Sequence, residues 1–133
     1  MIQKIDHINL SVANLERSLE WYWKVFGFEK KESGLSPRGR PFAIIESQGF
    51  MLCLYEEPQR KRASDFNQTE FHQLNHFGLR ISDPIEWRKT LKKNSIAVGY
   101  GGEIQYPRST SWYIQDPSGH EIEVSYSEHG LWC

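Results

Sequence analysis

Three side chains of this 133-residue chain have the types and the placing to hold a metal ion: His7, His76 and Glu123. Two imidazoles and one carboxylate on a single ion leave positions open for water or substrate, on Fe(II), Mn(II), Zn(II) or Ni(II). Each residue alone is weak. A histidine in a strand is commonly a structural residue satisfied by hydrogen bonds, and a strand glutamate commonly faces solvent. Their places in a repeated pattern are what join them.

His7 belongs to Ile5–Val12, where from His7 onward Ile8, Leu10 and Val12 face one way and His7, Asn9 and Ser11 the other. His76 belongs to Leu74–Ile81, where His76, Gly78 and Arg80 share one face and Phe77, Leu79 and Ile81 the other. Glu123 sits between Ile122 and Val124 on the second strand of a hairpin, 112–124, whose turn is Asp116-Pro117-Ser118-Gly119. Glu121 and Ser125 share its parity.

The elements between these strands repeat. Asn14 caps a helix predicted over Leu15–Phe26, with a buried stripe of Leu15, Leu19, Tyr22 and Phe26 and a stop at Gly27. A strand is predicted over 28–32, a loop over 34–41, and two strands over 42–46 and 50–56 around Ser47-Gln48-Gly49. In the second half Asp83, Pro84 and Glu86 open a helix running to Lys93, with Asn94 as its stop. Ile96–Val98 begins the next strand, and 99–102 and 106–111 read as loops. His7 and His76 lie 69 positions apart, and the hairpin glycines Gly49 and Gly119 lie 70 apart. Carried forward, the second offset pairs Cys53 with Glu123. The expected class is therefore α+β: two βαβββ modules forming a curved mixed sheet with a concave ligand-binding face. The whole chain, 1–133, reads as a single domain, with module one about 1–57, a linker 58–72, module two about 73–127 and a tail 128–133. Arg60-Lys61-Arg62 is read as part of a solvated linker.

Composition narrows the function classes. A formal net charge of −1 gives no reason to expect nucleic acid or an anionic membrane as partner. Two cysteines, Cys53 and Cys133, do not make a disulfide framework, which favours a reducing, cytoplasmic setting. Neither a signal peptide nor a bilayer-spanning apolar run is visible.

The segments Asp6-His7-Ile8-Asn9-Leu10-Ser11-Val12, Ser18-Leu19-Glu20-Trp21-Tyr22 with Phe26-Gly27-Phe28, Asn75-His76-Phe77-Gly78-Leu79, and Asp116 through Val124 together resemble the vicinal oxygen chelate superfamily. That superfamily includes glyoxalase I, extradiol dioxygenases, fosfomycin-resistance proteins and bleomycin-resistance proteins. The resemblance runs through essentially the whole chain. It implies a paired-βαβββ cup, a divalent metal (Mn, Fe, Zn or Ni) held by His7, His76 and Glu123, and a site that is sometimes shared across a homodimer. Glyoxalase I has a fourth ligand, a carboxylate, where the repeat places Cys53. The run Met51–Gln59 looks closest to the fosfomycin thiol-transferase branch. Asn9 stands where that branch has threonine, Arg108-Ser-Thr-Ser111 only loosely resembles its potassium loop, and no Arg or Lys follows Glu123.

The expected function is a divalent-metal enzyme acting on a small, oxygen-rich substrate by Lewis-acid catalysis, with lyase, transferase and dioxygenase chemistry all open. Glu121 is the candidate general base by parity with Glu123. Asn9, Cys53, Arg80, Arg108 and Tyr113 are candidate substrate contacts, the arginines for an anionic group. The rival expectation is a metal-free binding protein of the bleomycin-resistance type, in which the same cup sequesters an aromatic or cationic ligand.

Overall fold

The structure is a computed structural model that describes residues 1–60 and 72–128. Lys61, Arg62, His129, Trp132 and Cys133, and most of the expected linker and tail, lie outside the described residues. The chain divides into two compact units, Met1–Arg62 and Ala63–Cys133.

In the first unit β1 (His7–Val12) leads into α1 (Leu15–Phe26), then β2 (Glu29–Leu35), β3 (Pro41–Ser47) and β4 (Phe50–Glu56). The strand order is β1-β4-β3-β2, with β1 and β4 parallel and the other pairs antiparallel. The alternation read in the sequence divides this sheet into two faces. Leu10, Val12, Ala43, Ile45, Leu52 and Leu54 are buried, and so are Leu15, Tyr22 and Val25 of α1, which packs on β3 and β4. Burying each leucine or isoleucine stabilises the unit by about 1.5–3 kcal/mol. The other face carries His7, Asn9, Met51 and Cys53, in which His7 pairs with Met51 and Asn9 with Cys53.

Two groups fix the start of α1. Asn14, extended at φ −142°, accepts a hydrogen bond from the Arg17 amide, and Glu56 at the end of β4 accepts one from Leu15 N at 2.9 Å. The first-turn amides have no partner within the helix, so these oxygens satisfy them. Gly27, at φ 72°, closes the other end in the left-handed region. Asn14→Ala is expected to lower stability by about 1 kcal/mol in urea unfolding, with no change in m-value.

The second unit repeats the plan with β5 (Phe77–Arg80), α2 (Pro84–Lys93), β6 (Ile104–Gln105), β7 (Thr110–Gln115) and β8 (Glu121–Tyr126), in the order β5-β8-β7-β6. Here β5 and β8 are the parallel pair. Phe77, Trp87, Trp112, Ile114, Ile122 and Val124 are buried. Asp83 accepts from the Ile85 and Glu86 amides, and Asn94 ends α2. The matched registers, Ile8 with Leu52 and Phe77 with Ile122, bear out the duplication.

Three expectations about elements are corrected. Residues 96–98 form no strand. Ser95 takes φ 52°, the Ile96 amide returns to Leu91 O, and the Gly99 amide reaches Tyr113 O, so the short apolar run is spent on closing the helix end; the strand there is β6. Gly34 is not a breaker but a member of β2, where a Cβ would meet the Phe42 ring at 3.3 Å; a glycine inside a strand marks such an approach as readily as a turn. The buried stripe of α1 is Leu15, Ser18, Tyr22 and Val25, with Leu19 and Phe26 only half-buried. Among the described residues no helix is long and apolar enough to cross a membrane.

Candidate metal centre

The β5–β8–β7 ladder sets out the second unit's polar face in rows. Gly78, Glu123 and Tyr113 lie in one row, and Arg80, Ser125 and Ser111 in the next. His76 immediately precedes β5, and continuing the ladder one step places it beside Glu121. The sequence order alone therefore brings His76, Glu121 and Glu123 to one face.

His76 Nε2 lies 3.0 Å from Glu123 Oε2. The other oxygen of that carboxylate, Oε1, accepts a hydrogen bond from Ser111 Oγ at 2.7 Å, which leaves Oε2 directed at the imidazole. On the far side of the ring, His76 Nδ1 lies 2.7 Å from Asn75 Oδ1 and 3.4 Å from Glu121 Oε2. The Glu121 side chain is almost wholly buried and accepts from Tyr100 OH at 2.5 Å. Tyr113 stands edge-on to His76, with centroids 5.6 Å apart, and its hydroxyl is 2.9 Å from that of Tyr106. Burial, followed by the hydrogen bond to Glu121, pushes the Tyr100 hydroxyl up to about 12. Burial, then Tyr106, then the Glu123 charge raise Tyr113 as well, so both phenols stay protonated donors at neutral pH.

This set fits a metal on two grounds. Both ring nitrogens of His76 face oxygen, so Nδ1–H can be held against Asn75 while Nε2 is offered, beside Glu123 Oε2, to a cation. Two donors that each bind one ion at about 2.1 Å, at right angles, stand about 3 Å apart, which is the spacing of Nε2 and Oε2. Among the described residues no three His, Cys, Asp or Glu side chains form a ready-made metal cluster; the pair is what is in place.

In the first unit His7 repeats half of this arrangement. Its Nδ1 lies 2.7 Å from Asp6 Oδ2, as His76 Nδ1 does from Asn75, so in each unit the residue before the histidine engages the same ring nitrogen. Cys53 neighbours Asn9 on the His7 face. Burial, and then the charge of Asp6, raise its thiol above the ordinary cysteine value, which disfavours the thiolate a ligand would need. Arg80 is on the face of Glu123, one row on. Arg108 is exposed in the turn before β7, where the Tyr106 amide meets Ser109 O.

Asp6, Asn75, Ser111, Tyr100 and Tyr106 had no assigned role in the sequence reading. Asp6 and Asn75 could have been found there, since each precedes a matched histidine. Tyr100 could not, because only the Gly99–Gly102 loop, with Tyr100 at φ 56°, brings it to Glu121.

Comparison with known proteins follows the same lines. Residues 4–124 match the Glyoxalase family, the Glyoxalase/Bleomycin resistance protein/Dioxygenase superfamily. A trivalent organoarsenical cleaving enzyme of Bacillus sp. (strain MD1) is 31% identical over 134 residues, an alignment spanning 94% of this chain and 74% of that one. The metallothiol transferase FosB of Staphylococcus epidermidis is 29% identical over 126 residues, spanning 93% and 84%. The solved structure of the fosfomycin resistance protein FosX from Listeria monocytogenes superposes with a TM-score of 0.73 at 18% identity, covering 96% of this chain and 95% of that one. A family match across nearly the whole sequence, on a fold of two βαβββ units, establishes that the chain belongs to the Glyoxalase/Bleomycin resistance protein/Dioxygenase superfamily.

Proposed function

We propose that this protein is a divalent-metal-dependent enzyme that acts on a small, oxygen-rich substrate, with His7, His76 and Glu123 as the metal ligands. The observation that carries the reading is the His76 Nε2–Glu123 Oε2 pair at 3.0 Å, each partner held from behind by Asn75 and Ser111. The likeness to a metallothiol transferase supports a metal and an attack by an external nucleophile.

A bound divalent ion would supply Lewis-acid stabilisation of charge developing on a substrate oxygen. The chain's own residues do the rest. Asp6 and Asn75 hold Nδ1 of His7 and His76 and so present Nε2. Ser111 fixes the Glu123 carboxylate. Tyr113, protonated and beside Glu123, can donate to a substrate oxygen. In this reading Glu121, already engaged by Tyr100 and beside His76 Nδ1, acts through His76 as a positioning residue.

A second relative cleaves trivalent organoarsenicals. Trivalent arsenic is soft and is held by thiolates. Cys53 is the free cysteine among the described residues, and its thiol is raised rather than lowered. A hard, oxygen-rich substrate therefore fits this chain better than an arsenical.

Equilibrium dialysis with Mn(II) or Zn(II), read by elemental analysis, tests the reading. One ion bound per chain, removed by a chelator, is expected. Negligible metal in the wild type, with small-molecule binding that survives chelator, would instead support the metal-free sequestering protein.

A further inference from the structure

Tyr100 is a tyrosine where the backbone favours glycine. It lies in the loop between α2 and β6 at φ 56°, followed by Gly101 at φ 84° and Gly102 at φ 113°. A bulky residue at positive φ is an outlier, and it persists where its surroundings hold it there. Two bonds pin this loop: the Gly99 amide donates to Tyr113 O at 2.7 Å, and the Gly102 amide to Gly99 O at 3.2 Å. The Tyr100 ring then stands edge-on to Tyr113, centroids 5.1 Å apart, and its hydroxyl donates to Glu121 Oε1 at 2.5 Å. The Glu121 side chain is only 1% exposed. A buried carboxylate is tolerated only with donors on its oxygens. Tyr100 supplies one on Oε1, which leaves Oε2 3.4 Å from His76 Nδ1. The other side of the imidazole has the same plan: Ser111 Oγ donates to Glu123 Oε1, and Glu123 Oε2 meets His76 Nε2 at 3.0 Å. Each carboxylate flanking His76 therefore has one oxygen held by a hydroxyl and the other turned to the ring.

We propose that Tyr100 is a positioning residue for the metal centre: its hydroxyl fixes the Glu121 carboxylate and, through it, the tautomer and orientation of the His76 ring. With Oε1 of Glu121 occupied, Oε2 joins Asn75 Oδ1 as an acceptor for Nδ1–H, and Nε2 is left with its lone pair for a cation. A glycine at position 100 would suit the backbone better but would leave Glu121 without this donor. The role rests on the metal-enzyme reading and adds to it a loop that lies outside the β5–β8–β7 ladder.

The test is a double-mutant cycle on Zn(II) affinity in the full-length protein, measured by competition against a fluorescent chelator. Tyr100→Phe keeps the ring against Tyr113 and removes only the hydroxyl. It should weaken Zn(II) about tenfold, the low end of the cost of losing a group that orients a ligand. Glu121→Gln should weaken binding at least as much. Adding Tyr100→Phe to Glu121→Gln should then change affinity by less than about twofold, because the effect runs through Glu121. In the Zn(II)-loaded protein the His76 Nδ1 proton, followed by NMR, should move in Tyr100→Phe, a change that a general loss of stability does not produce. Wild-type affinity in Tyr100→Phe, a tenfold loss that persists in the Glu121→Gln background, or an unmoved Nδ1 proton would overturn the role of Tyr100 and leave the metal reading standing. Negligible Zn(II) in the wild type would overturn both.

Discussion

His76→Ala will bind divalent metal more than about 100-fold more weakly than wild type, because it removes one of the proposed ligands outright. The size follows from the milder case. Removing a group that only orients a ligand costs about 10–100-fold in metal affinity. Ser111→Ala is such a change: Glu123 keeps both oxygens but loses the 2.7 Å bond that aims Oε2 at His76. The graded series wild type, Ser111→Ala, His76→Ala should appear in competition against a fluorescent chelator, with circular dichroism unchanged throughout. His76 is at the edge of β5 and partly exposed, so its loss leaves no cavity in the core. A His76→Ala protein with wild-type affinity would remove this residue from the site.

The second large effect concerns the scaffold. Trp112 is 1% exposed on β7, opposite Val124, with the Arg88 guanidinium 5.6 Å above its ring and Glu103 binding that guanidinium. Trp112→Ala is expected to cost about 3–5 kcal/mol. A domain of this size has about 5–15 kcal/mol to lose, so the urea midpoint should fall by about a fifth or more, whereas Trp112→Phe should retain most of the stability. The neighbours of Trp112 on the other face of β7 are Ser111 and Tyr113, so the variant should also lose metal affinity as β7 loosens. A cost below about 1 kcal/mol would mean that this indole does not anchor the second unit.

The sequence was most legible where period and punctuation agreed. The alternation from His7 and again near His76, the caps Asn14 and Asp83, and the Asp116–Gly119 turn are local signals, and the structure places the elements accordingly. Glu123 was readable because the turn fixes its register. Features decided by a distant neighbour were not readable. Gly34 looks like a loop residue until Phe42 is seen packed against it. The rotation of α1 by about one residue depends on the sheet beneath it, and hydrophobicity alone does not reveal that Ser18 is buried rather than Leu19. Tyr100 reaches Glu121 through a loop with left-handed residues, which carries no periodic signal. The hydroxyls of Ser109 and Ser125 look like ordinary loop and strand polarity until their burial is known.

The proposed centre has His7, His76 and Glu123 on one ion. Pulsed EPR on Mn(II)-loaded protein counts the nitrogens bound to the metal and tests this most directly. Wild type should show two histidine nitrogens on one ion per chain, with one remaining in His7→Ala and one in His76→Ala. A wild-type spectrum with a single coordinated nitrogen, unchanged by His7→Ala, would contradict the two-histidine, one-carboxylate centre.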